Sequence, residues 1–165
     1  MQQTQLRHMS FFSGLGACST ALKMAKVPFQ TLAISEINEK SLKVYKAIHG
    51  SVPTNLGDIT KIDPSEVPAD IDIWTGGPPC QKFSRLGSRA GFSAELSPMM
   101  SFQDLILDCL PAYVLMENVQ DILFKSNKEG LEAYLQPLRE FYNVEIVKEN
   151  PHDLGFLQSR TRAWF

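Results

Sequence analysis

The sequence predicts an α/β sandwich built on a mostly parallel sheet. Three observations predict it. Short apolar runs of strand length alternate with helix-length amphipathic runs along the whole chain. Such alternation calls for crossover connections, which parallel strands require. The 165 residues, 44% of them hydrophobic and 21% charged, suit one globular domain with a core of its own.

Each element follows from its residues. "HMSFF" is a buried strand, and "SGLGACS" turns the chain with two glycines. "STALKMAK" is a helix capped by Ser13 or Ser19 that must stop before Pro28. "FQTLAI" is a second strand. "NEKSLKVYKAIHG" is a helix with Leu42, Tyr45 and Ile48 on one face and Gly50 at its end. "DIDIWT" is a third strand, "SFQDLILDCL" a helix, and "AYVLME" the next strand. "GLEAYLQPLREFY" is an amphipathic helix bent at Pro137, "NVEIVKEN" a strand, and "AWF" the start of a last strand that leaves an unpaired sheet edge.

The bulk properties exclude several classes. A net charge of −2 gives no global attraction to nucleic acid, although a local basic face is compatible with it. Cys18, Cys80 and Cys109 form no Cys-x-x-Cys pair, so neither a structural zinc site nor a redox pair is expected. An odd number of cysteines fits a reducing compartment. No apolar run reaches the roughly 20 residues of a membrane span, and "MQQTQLRHMS" is no signal peptide. The expectation is a cytoplasmic protein without a membrane or a metal.

In a parallel α/β sheet, ligands bind beyond the carboxyl ends of the strands. The residues just after each strand are therefore the candidates. Gly14 and Gly16 in "FFSGLGA" let a ligand approach the backbone, but a tight turn would need the same glycines. Glu36, after the second strand, is placed to accept hydrogen bonds from ribose hydroxyls. Asp58 in "LGDIT" suits an adenine amino group or, equally, a turn cap. Cys18 and Cys109 read as small packing residues. Cys80 in "GGPPCQKFS" differs, because Pro78 and Pro79 fix its backbone and Lys82 and Arg85 favour a thiolate. Glu117 ends the apolar strand "AYVLM", where a plain solvent-facing glutamate would look the same. Arg160 and Arg162 lie two apart and, in an extended strand, point the same way, which suits a phosphate or a base carbonyl.

Taken together, "FFSGLGA", "SEIN", "GDIT", "GGPPCQKFS", "MENV" and "QSRTR" resemble the cytosine-5 DNA methyltransferases in order and approximate spacing, from about Ser10 to Phe165. The Pro-Cys-Gln-x-Phe-Ser and Glu-Asn-Val elements are the specific ones. The resemblance implies the doubly wound, Rossmann-like sheet of S-adenosylmethionine-dependent methyltransferases, incomplete at its C-terminus. It implies that residues 1–165 are a catalytic domain that lacks target recognition. It further implies that Phe12 stacks on the adenine of S-adenosyl-L-methionine, that Gly14, Gly16 and Pro78 line the cofactor, and that Glu36 holds the ribose. Ile37 would pack on the adenine and Asp58 would bind its amino group. Cys80 would be the nucleophile toward a flipped cytosine in duplex DNA, Glu117 would hold the base, and Arg160 and Arg162 would assist.

The chain also departs from the family pattern. "SAELSPMMSF" lacks an Arg-Gly stretch, Leu157 stands where proline is common, and Ala17 replaces a third glycine. The sequence stops before any target-recognition segment. The expectations that follow are half of a split enzyme completed by a second polypeptide, a piece of a longer restriction-modification or phage enzyme, or an inactive remnant that binds the cofactor. RNA cytosine is a further candidate substrate, since the chemistry is the same.

Overall fold

The structure, a computed structural model, describes residues 5–79 and 98–165. It divides into two compact units, Met1–Gly77 with Asp108–Leu115 and Pro78–Leu107 with Met116–Phe165.

In the first unit the elements run β1 (Leu6–Phe11), α1 (Ala17–Met24), β2 (Phe29–Ser35), α2 (Glu39–His49), β3 (Thr54–Asn55) and β4 (Ile73–Gly76). The strand order is β3-β2-β1-β4. All pairs are parallel, and β1 joins β2 through α1, as the alternating pattern requires. The register decides where the site lies. Phe11 stands level with both Ser35 and Gly76, so three strands end at one edge. The residues that follow them, Phe12 to Gly16 and Glu36 to Asn38, are delivered to that edge together. Met9, Phe11, Ala33, Ile34, Tyr45, Ile59 and Trp74 form this unit's core. The Phe11 and Trp74 rings lie 4.7 Å apart, a packed aromatic pair.

The second unit contains α3 (Pro98–Cys109) up to Leu107, the later part of β5 (Tyr113–Val119), α4 (Lys128–Arg139), β6 (Val147–Glu149) and β7 (Arg162–Trp164). Its strand order is β5-β7-β6. β7 runs antiparallel to both neighbours, with Glu117 opposite Trp164 and Val147 also opposite Trp164. The short return through the 3-10 turn Pro151–Leu154 and Gly155, at φ 87°, allows this reversal where a parallel neighbour would need a crossover. Met99, Phe102, Leu105, Ile106, Met116, Ile122, Tyr134 and Leu135 make the core here. The buried Gln103 amide donates to the Tyr134 carbonyl and ties α3 to α4.

Five expectations need correction. The last strand is not an unpaired edge, since "RAW" lies between β5 and β6 and pairs with both. Neither serine caps α1. Gly16, in the left-handed conformation, is its N-cap, while the Ser13 hydroxyl donates to the Ser10 carbonyl and Ser19 lies inside the helix. On α2, Tyr45 is buried but Ile48 is 53% exposed, so the apolar stripe is narrower than its spacing suggests. Only Val147–Glu149 of "NVEIVKEN" is strand. Pro137 lies in the last turn of α4, where the helix is already ending.

Candidate active site

The first unit carries a loop gripped by a carboxylate. After β1 the chain turns left-handed at Phe12 (φ 52°) and again at Gly14 (φ 54°) and Gly16 (φ 80°). For Phe12 this conformation costs about 1–3 kcal/mol and must be held by its surroundings. Ser13 N donates to the Ser35 carbonyl at 3.2 Å, and Gly16 N donates to the Ser13 carbonyl at 2.8 Å. Gly14 N donates to Glu36 Oε2 at 2.7 Å, and Asn38 N donates to Glu36 Oε1 at 2.7 Å. The two carboxylate oxygens are thus fixed by one backbone bond each, and each keeps lone pairs for a further donor.

The two glycines do different work. A Cβ on Gly14 would meet nothing closer than the Phe12 carbonyl at 3.9 Å, so the face beside it is open. A Cβ on Gly16 would come within 2.2 Å of His49 Nε2 and 2.7 Å of Tyr45 Cε2. Gly16 is therefore required by the close approach of α2. Ile37, next to Glu36, is 73% exposed. An apolar side chain beside a fixed carboxylate and an open glycine fits the flat base, ribose and backbone-lined tail of an adenosyl cofactor. Asp58 caps the 3-10 turn Ile59–Lys61, accepting from Thr60 N at 3.1 Å, with Lys61 Nζ at 3.6 Å from its other oxygen. The hydrogen bonds from Thr60 hold its carboxyl below the usual range, ahead of the Lys61 charge. The cap alternative for Asp58 is thus realised.

The second unit brings Glu117 and Arg162 together. In the antiparallel register Arg162 stands opposite Val119, so it is the diagonal neighbour of Glu117 on one face. Arg162 Nε lies 2.6 Å from Glu117 Oε1, with the side chains 18% and 29% exposed. The contact is an ion pair whose N–H is not aligned as a hydrogen bond. Arg162 Nη1 donates to the Thr161 carbonyl at 2.9 Å, which restrains the guanidinium further. Glu117 is therefore not a plain solvent-facing glutamate. Arg160 lies outside β7 and is exposed, so the extended-strand argument does not join it to Arg162. Its backbone N–H donates to Asn150 Oδ1 at 3.1 Å.

Cys80, with Lys82 and Arg85, lies outside the described residues, but the loop that leads to it is anchored. Pro78 is buried, and its carbonyl accepts from Asn118 Nδ2 at 3.3 Å. Of the other cysteines, Cys109 is half-buried, and burial followed by the Asp108 charge pushes its thiol up, away from the reactive thiolate.

Residues 6–165 match the family model described as C-5 cytosine-specific DNA methylase. The chain belongs to that family. An orphan methyltransferase of Bacillus phage rho11s is 32% identical over 98% of this chain and 32% of its own length. The tRNA (cytosine(38)-C(5))-methyltransferase of Schizosaccharomyces pombe is 28% identical over 98% of this chain and 49% of its own. Among solved structures, the S. pombe Dnmt2 methyltransferase superposes with a TM-score of 0.77 at 24% identity, covering 97% of this chain and 48% of that one. The chain thus spans half or less of the length of these relatives. The fold is the α/β, Rossmann-like one of these methyltransferases, and the methyl donor of the C-5 cytosine methylases is S-adenosyl-L-methionine.

Two asparagines with positioning roles escaped the reading of the sequence. Asn118 is 1% exposed and joins the end of β5 to the loop before Cys80. Asn55 Nδ2 donates to the Glu36 carbonyl at 3.0 Å, while its Oδ1 accepts from Glu36 N at 3.1 Å. Asn118 had a signal, since a buried amide in "MENV" needs partners. Asn55 lies on a two-residue strand with no periodic signal at all.

Proposed function

We propose that residues 1–165 act as the catalytic domain of a cytosine-5 methyltransferase that works on DNA. The observation that carries the reading is the Glu117–Arg162 pair, 2.6 Å apart, formed by residues distant in sequence at the end of β5. Pairing a carboxylate with a guanidinium at a strand's carboxyl edge suits a polar heterocycle that offers both donors and acceptors.

In this reading Phe12, Gly14, Gly16, Glu36, Ile37, Asp58 and Pro78 hold the cofactor. When bound, S-adenosyl-L-methionine supplies an electrophilic methyl group. Cys80, aimed by the prolines before it, adds as a thiolate to carbon 6 of a cytosine flipped out of the duplex. That addition breaks the ring's aromaticity and makes carbon 5 nucleophilic. Glu117 holds ring nitrogen 3 and the exocyclic amine and stabilises the charge pushed onto the ring. Arg162 keeps the Glu117 carboxylate in place and reaches the base carbonyl, and Arg160 assists from the preceding loop. After carbon 5 has gained the methyl group it loses its proton, and the Cys80 thiolate leaves, which restores the double bond.

Target recognition is assigned to chain beyond this domain, in the same or a second polypeptide, which accords with relatives two to three times as long. A cytoplasmic setting accords with the described residues, none of whose helices is long and apolar enough to cross a membrane.

The test is transfer of a labelled methyl group to cytosine-containing duplex DNA, by the chain alone and with the downstream polypeptide of the same locus. Transfer should occur and stop in Cys80→Ala, while cofactor binding stays within about twofold. Undiminished transfer by Cys80→Ala would sink the assignment. One finding favours a second reading, the 28% identity to a tRNA cytosine methyltransferase. Label in transfer RNA but not in DNA would establish that substrate instead.

A further inference from the structure

We infer that His49 is a positioning residue of the cofactor loop, locked by Lys23 into the tautomer that holds Leu15. The inference rests on the reading of Gly14 to Gly16 as the cofactor loop. His49 Nε2 lies 3.1 Å from the Leu15 carbonyl, and His49 Nδ1 lies 3.4 Å from Lys23 Nζ. A carbonyl only accepts and an ammonium only donates, so the ring proton sits on Nε2 and Nδ1 receives from Lys23. The ring is also clamped sterically. It packs on Tyr45 with centroids 4.3 Å apart, and the missing Cβ of Gly16 leaves the space that Nε2 occupies.

Leu15 stands between the two left-handed glycines, and Gly16 is the N-cap of α1. The loop is therefore held at two adjacent points. Glu36 takes the Gly14 N–H from one side, and His49 takes hold of the Leu15 carbonyl from α2. The Glu36 bond uses a group that the cofactor also needs. The His49 bond does not, so it can set the loop before the cofactor arrives. Without it, the Leu15 carbonyl between the two glycines loses this restraint, and part of the ordering cost passes to the binding step. Lys23 reaches His49 from the last turn of α1, so the helix that begins at the loop also fixes the ring that holds it.

The experiment measures S-adenosyl-L-methionine affinity by calorimetry for the unmodified chain, His49→Ala and His49→Gln, with thermal melts of each. A glutamine amide nitrogen can replace Nε2 as donor. His49→Ala should bind about tenfold more weakly, on the scale of one hydrogen bond, and His49→Gln should stay within about threefold of the unmodified chain. Equal affinity in all three, or equal losses in Ala and Gln that follow a lowered melting point, would overturn the positioning role. Nitrogen NMR of the His49 ring gives a reading that needs no cofactor. The Nε2–H tautomer is expected, and the Nδ1–H tautomer would overturn the inference while leaving the cofactor reading intact. Failure of the unmodified chain to bind would overturn the cofactor reading and the inference with it.

Discussion

At the scale of the residue, the proposed chemistry of the second unit rests on the Glu117–Arg162 ion pair. Both side chains are largely buried, so each charge depends on the other for what water no longer supplies. Removing one partner leaves the other uncompensated. Glu117→Gln keeps the shape but loses the negative charge, and methyl transfer should fall about a hundredfold or more, within the range for a lost acid–base or charge-stabilising group. Cofactor affinity should stay within about twofold, because all the residues assigned to the adenosyl group except Pro78 belong to the other unit. In stability, the losses of Glu117→Gln and Arg162→Gln should sum to about 1 kcal/mol more than the loss of the double variant. Additive losses in a double-mutant cycle of urea melts would show that the two charges act independently. Arg160 provides the contrast. It is exposed and outside β7, so Arg160→Gln should leave folding stability within about 0.5 kcal/mol of the unmodified chain.

At the scale of the element, the end of β5 acts as a fixed support for the loop that leads to Cys80. Asn118 makes the connection by donating to the Pro78 carbonyl and accepting from Val119 N at 2.9 Å. Asn118→Leu, close in volume, should cost about 1–3 kcal/mol in urea melts, because buried polar groups lose their partner. It should also lower transfer more than it lowers cofactor affinity; a variant with full transfer would show that the loop needs no such tie. Much of this level was legible in the sequence. The strand ends just before Phe12 and Glu36 follow from apolar runs that stop ahead of a glycine turn or at a carboxylate, and the parallel order of the first unit from alternation with helices. Glu117, expected to end its strand, instead lies inside β5, which runs on to Val119. Less legible were features set by long-range contact. Ser13 and Ser19 are good caps by type, but the close approach of α2 demanded a glycine at the first turn of α1. "AWF" looked like an edge because nothing local reveals that a return through Gly155 inserts it between β5 and β6. Asn55 and His49 carry no local pattern, since their work is done on residues about twenty or more positions away.

At the scale of the whole molecule, folding is sensitive to a charge that His8 declines to carry. His8 is fully buried in the middle of β1, and its ring bonds Thr31 Oγ1 at 3.0 Å and Thr75 Oγ1 at 2.9 Å. These are neutral hydroxyls on the two flanking strands, so the sheet is cross-linked through an uncharged imidazole. Burial lowers the His8 pKa from 6.5 to about 4. The sign follows from which state takes the proton first. Between these two values the unfolded chain protonates His8 and the folded chain does not, so acid favours unfolding. The stabilisation is complete above pH 6.5 and is lost progressively as the pH falls toward 4. The full difference amounts to roughly 3 kcal/mol at 1.36 kcal/mol per pKa unit. The lowered carboxyl of Asp58 acts in a separate window, because its stabilisation is lost only below its ordinary value of 3.8. His8→Gln replaces the titrating ring by an amide that still offers a donor and an acceptor to the two threonines. Urea melts across the interval from pH 6.5 to about 4 should show the unmodified chain losing stability more steeply than His8→Gln, with the gap closing as the pH falls. Parallel curves would mean that His8 accepts its proton within the folded sheet, and the uncharged cross-link between β2, β1 and β4 would have to be abandoned.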